Sequence, residues 1–102
     1  MSRLLTHIAQ RRRLFRALLS SPWAGALRLA VEERLAHRVG LALDALAERI
    51  GDDLPPQRDE AVAVMSGGLV AAIMHWALID DTDAEAYGHR IQALMPAWWP
   101  VR

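Results

Sequence analysis

The sequence predicts an all-α protein, an antiparallel bundle of four to five helices forming one domain over residues 1–102, whose last two helices form a four-helix-bundle dimer interface. Three observations carry this. Apolar residues recur at steps of three and four through most of the chain, as on one face of a helix. No segment shows the period-two alternation of a strand. The stretch over 61–79, AVAVMSGGLVAAIMHWALI, is apolar around its whole circumference. A helix without a polar face cannot lie on the surface of a small domain, so it buries one side in its own core and the other against something else. With 102 residues, 53% of them apolar, the chain suffices for one core but leaves much surface wet, and association would add burial.

The first helical segment spans about residues 3–19. Leu4, Ile8, Phe15 and Leu18 recur at helical spacing, Leu5, Leu14 and Leu19 widen the stripe, and an Arg cluster takes the other side. Ser21 then offers a cap, and Pro22 suits a first helical position, where its missing N–H costs nothing. Leu27, Val31, Leu35, Val39, Leu43, Leu46 and Ile50 follow at steps of three and four, roughly seven turns or about 40 Å. Gly25 or Gly40 marks a possible break, so one helix or two between Pro22 and Ile50 stays open. Gly51 suits a C-terminal cap, with the turn from Asp52 to Pro56 after it. The third segment is the apolar one, from near Pro56 to near Asp80. The fourth opens on Thr82-Asp83-Ala84-Glu85, read as a capping box with Thr82 as the cap. Ala84, Tyr87, Ile91, Leu94 and Met95 make its apolar stripe, and Pro96 stops it.

At about 100° per residue the apolar helix has two faces. Val62, Met65, Leu69, Ala72, Ile73 and Trp76 are bulky and suit a core. Ala63, Gly67, Val70, Ala71, Met74 and Leu78 are smaller; Gly67 and Ala71, like Gly68 and Ala72, are four apart, a spacing that lets helix backbones approach closely. The expectation is that this smaller face, with Tyr87, Ile91, Leu94 and Met95 of the last helix, meets a second copy of the chain. A membrane span is long enough but disfavoured, since Ala and Gly partition weakly into lipid, His75 sits inside, and both flanks are acidic.

The formal net charge is zero, against a whole-domain grip on nucleic acid. It divides unevenly: residues 1–50 carry nine Arg and four acids, residues 51–102 three Arg and eight acids. The absence of Cys excludes disulfides, thiolate metal sites and Cys nucleophiles. The N-terminus lacks the uninterrupted apolar run of a secretory signal, so a cytoplasmic location is expected.

LFRALLSSP over 14–22, the long helix after it, and MSGGLVAAIMHWALIDDTDAEAYGHRIQALMP over 65–96 resemble the C-terminal regulatory domain of TetR-family transcriptional regulators. That resemblance rests on Phe15, Leu18 and Leu19 as an aromatic followed by paired Leu, on Gly67, Gly68 and Trp76 as small residues before a Trp in the helix before last, and on the polar loop from Asp80 to Glu85 opening a final amphipathic helix. It implies an all-α, effector-binding homodimer that pairs through its last two helices and changes the spacing of two DNA-reading heads. The family's helix-turn-helix has no counterpart in these residues, so this chain alone is expected to make no direct DNA contact.

Other chemistry is weakly signalled. RRRLFR over 11–16 reads as a solvated helix face more readily than as a phosphate-binding patch. His7, His37, His75 and His89 form no i, i+4 metal pair, and His37 reads as a surface partner of Glu33. Ser66 lacks the strand-turn context of a nucleophile elbow, so no enzyme, metal or cofactor is expected. Phe15, Trp23, Leu27, Met65, Leu69, Ile73 and Trp76 are the candidate lining of a small apolar effector's pocket, with Met74 beside them; ordinary core packing is the alternative. Trp98 and Trp99 either cover the bundle end or enter a dimer seam.

Overall fold

The computed structural model describes residues 2–50 and 57–99. It is an all-α bundle of five described helices: α1 (Ser2–Gln10), α2 (Arg12–Leu19), α3 (Ala24–Ile50), α4 (Arg58–Leu78) and α5 (Ala84–Leu94). The cap expected at Gly51 and the turn after it lie outside the described residues. The apolar helix α4 is central: it packs along α3 and meets α1 and α2, while α5 closes onto α1.

Three boundaries differ from expectation. The single helix expected over 3–19 is two, broken at Arg11, whose backbone leaves the helical region at φ −121°, ψ 30°. No Pro or Gly marks this break. It redirects α2 so that Arg12 and Arg16 reach α4, a tertiary demand that local propensity does not encode. Ser21 makes a capping bond, accepting from the Trp23 N–H at 3.1 Å, but a turn closed by Ala24 N–H to the Ser21 carbonyl intervenes, and regular helix starts at Ala24 rather than Pro22. The last helix is capped by Asp83, not Thr82: Asp81 takes the Asp83 N–H at 2.9 Å, fixing the loop, and Asp83 then accepts from Ala86 N–H at 3.0 Å. From Ala24 to Ile50 there is one uninterrupted helix. At Gly40 the missing side chain makes room for Arg58, which crosses α3 to grip Asp44 with two hydrogen bonds of 2.7 and 3.0 Å; a Cβ there would lie 2.9 Å from the guanidinium. That grip holds the Asp44 carboxyl below its ordinary pKa.

The core gathers Leu5 and Ile8 of α1, Val39 and Leu43 of α3, Leu69, Ile73 and Trp76 of α4, Tyr87 and Ile91 of α5, and Trp99. Trp76 is its hub. The indole is fully buried and donates Nε1–H to the Leu5 carbonyl at 2.7 Å. Its ring lies 4.6 Å from that of Tyr87, and the Arg12 guanidinium stacks over it at 4.7 Å. One side chain thus ties four helices together.

The other tie is at the C-terminal end of α4, where the last carbonyls have no helical partner. Arg12 donates to the Trp76 carbonyl at 3.0 Å. One turn on, Arg16 donates to the carbonyls of Ala77 (3.1 Å), Leu78 (3.3 Å) and Ile79 (2.9 Å) and to the Asp80 carboxylate at 2.7 Å. Two cations four apart repel within a helix, but here both answer the negative end of the α4 dipole. The Arg cluster is therefore not simply a solvated face: Arg11 and Arg13 are exposed, whereas Arg12 and Arg16 are half-buried connectors.

Three substitutions test these ties. Trp76→Phe should lower unfolding stability by about 2–3 kcal/mol in urea titrations, from the lost hydrogen bond plus the underfilled site. Arg16→Met should cost about 1–2 kcal/mol. The hydrogen bond from Arg16 holds the Asp80 carboxyl below its usual range. A depressed carboxylate stabilises fully above its unfolded value of about 4 and loses that contribution as pH falls through the folded value. Asp80→Asn should accordingly flatten the acid limb of stability below about pH 4.

Candidate functional site

Two features of the bundle lack an internal purpose. The first is the outer face of α4. Val64, Gly68, Ala71, His75 and Leu78 recur at steps of three and four and all are exposed, with Gly67 and Met74 half-exposed beside them. Val64 is 64% exposed and Leu78 59%. Across its most apolar window α4 has a mean hydropathy of 1.8, enough in length and composition to cross a membrane, yet only 33% of that window is buried within the chain. The glycines sharpen the point. Each costs a helix interior about 1 kcal/mol relative to Ala, but a Cβ at Gly68 would meet nothing within 4 Å, and one at Gly67 only the Glu32 carboxylate at 3.8 Å. Packing within one chain gives no reason for either.

The residues expected on a pairing face divide. Ala63, Ala71, Leu78 and Leu94 are exposed, and Gly67, Met74 and Met95 are partly so. Val70, Tyr87 and Ile91 lie in the chain's own core. The outward face is thus rotated from the one drawn on a helical wheel toward Val64, Gly68 and His75, because α3 and α1 together cover a wider arc of α4 than a single neighbour would. At its edge, Tyr87 donates its hydroxyl hydrogen to the Ala72 carbonyl at 2.5 Å, so the 3.2 Å contact with His75 is a donation from His75 Nδ1–H to the Tyr87 oxygen. Burial raises the Tyr87 pKa, partly offset by Arg90.

The second feature is a gap of about 250 Å³ between α3 and α5. Leu35, Arg38, Val39 and Ala42 form its α3 wall; Gly88, Ile91, Gln92 and Met95 form its α5 wall; Leu4, Leu69 and Trp99 close it. The surface is largely hydrocarbon, with two polar exceptions. Arg38 is exposed and has no ion pair among the described residues. The Gln92 side-chain nitrogen is sealed from solvent and has no hydrogen-bond partner. A buried donor left unmade costs about 1–3 kcal/mol.

The residues expected to line an effector pocket do not converge on one site. Leu69 borders the gap. Phe15, Leu27 and Ile73 border a separate cleft of about 60 Å³, too small for an organic ligand. Met65 is half-buried against the core, Trp76 is enclosed by protein, and Trp23 is 71% exposed. Trp99 is buried over the bundle end with Trp98 packed beside it. Sequence reasoning missed Leu35, Arg38, Ala42, Gly88 and Gln92. One signal was available: Gln92 interrupts the apolar face of α5 between Gly88 and Met95, where a bundle with no ligand has little use for an amide.

His7 accepts from Arg11 at 2.8 Å, and Glu33 and His37 are exposed without bonding each other. Among the described residues no cluster of three or more His, Cys, Asp or Glu is placed to hold a metal ion. No protein-family model matches the chain, and neither curated proteins nor solved structures contain a significant match.

With its face uncovered, Gly68→Ala should raise the helicity and stability of dissociated chains by about 1 kcal/mol, read by circular dichroism and urea unfolding at low concentration.

Proposed function

We propose that this chain is a self-associating, effector-binding regulatory domain of the kind found in TetR-family regulators, cytoplasmic, with DNA reading left to other residues. The observation that carries it is the uncovered apolar stripe of α4. Val64, Gly68, Ala71 and Leu78 form a flat strip with no charged side chain, suited to another helix lying close against it, and Leu94 of α5 adds an 85% exposed side chain in the other helix expected to pair. A second copy offers the same strip about a two-fold axis. Asp59 and Glu60 at one end of the helix and Asp80 and Asp81 at the other favour a protein partner over lipid. The gap between α3 and α5 supplies a place for an effector on the opposite side of α4. An effector that fits one α3–α5 spacing better than another shifts the population of bundle geometries by its differential affinity.

A second reading, a pairing module without a ligand, has the filled centre in its favour. Trp76 and its neighbours leave no space where an effector was first expected.

Sedimentation equilibrium across a dilution series separates these proposals from their rivals. The expected result is a dimer whose dissociation constant rises at least about tenfold on Ala71→Glu, with helicity retained. A single-chain mass at high micromolar concentration, or a mass unmoved by Ala71→Glu, overturns the pairing. Solubility only in detergent overturns it in favour of a membrane segment.

A further inference from the structure

We infer that the gap between α3 and α5 binds a small amphipathic acid, with its apolar body against Leu35, Val39, Leu69 and Trp99 and its carboxylate held by Arg38 at the mouth. This rests on the effector-binding reading above and names the ligand's class.

Size, wall and charge each narrow the choice. At about 250 Å³ the gap lies just under the range of roughly 300–1,000 Å³ usual for drug-sized ligands, so its occupant is a short chain or a single ring. The walls are hydrocarbon from four elements, so most of the ligand is apolar. The charged group at the mouth asks for an acceptor: Arg38 is donor-only, permanently charged and without an ion pair among the described residues. No carboxylate lies among the lining residues, so a cation would find no counter-charge. A neutral apolar molecule would leave Arg38 unused. An acid engages it, and hydrogen bonds to charged groups are the stronger ones. Arg38 stands where the α3 wall meets solvent, so the carboxylate can keep part of its hydration while the tail is enclosed.

The position also suits a regulator. α3 and α5 flank the gap, with Leu69 of α4 between them on the side away from the exposed stripe. A ligand that draws the two walls together acts on the helices that flank the pairing helix.

Titrating the full chain with octanoate, octanol and octylamine, and following tryptophan emission and melting temperature, tests this. Octanoate should bind about tenfold more tightly than octanol. Arg38→Gln, at an exposed position, should erase that preference while leaving octanol bound. Trp99→Phe should remove most of the emission change. Equal binding of octanoate and octanol, tighter binding of octylamine, or an acid preference that survives Arg38→Gln overturns the acid assignment and leaves the effector reading standing. No binding by any of the three overturns both.

Discussion

The arrangement of the bundle depends on how the C-terminal end of α4 is held. Four carbonyls end any helix without partners, and in α4 they are met by two arginines reaching across from α2, while the indole of Trp76 reaches back to the backbone of α1. Shape alone would allow an apolar rod to roll about its axis, since one hydrocarbon face resembles another. Directional bonds at Trp76, Ala77 and Ile79 forbid that rotation. They place Leu69, Ile73 and Trp76 inward and leave Val64, Ala71 and Leu78 facing out.

Fixing α4 also fixes the relation between its two sides. One side is uncovered and continuous; the other ends at the gap between α3 and α5. α5 lines the gap with Ile91 and Gln92 and carries Leu94 exposed. Its N-terminal half is anchored by Tyr87 to the backbone of α4 and by Asp83 at its cap.

Much of the architecture was legible in the residue pattern. Steps of three and four marked the helices, and the uniform apolarity of 61–79 marked the central one. Failures came where tertiary contacts overrode local signals. The break at Arg11 carries no Pro or Gly, and the use of Arg12 and Arg16 depends on a helix end more than sixty positions away. The off-by-one cap at Asp83 arises because Asp81 first claims the loop backbone. The site was harder than the fold. Trp76 looked like pocket lining and is a hub, because a large ring with one donor serves a core as well as a cavity. Arg38 and Gln92 carried little signal singly, since their meaning comes from two walls that are distant in sequence.

The Leu5–Trp76 bond joins positions 71 apart, and Arg16 spans up to 64 residues to Asp80. During translation, then, the first two helices leave the ribosome long before the α4 groups they bond to have been made. Until then Leu5, Arg12 and Arg16 lack the α4 partners they have in the bundle, which leaves them open to chaperones or to premature aggregation. Assembly of the bundle waits on its second half, so a ribosome that stalls before residue 80 releases a fragment with no route to the native bundle.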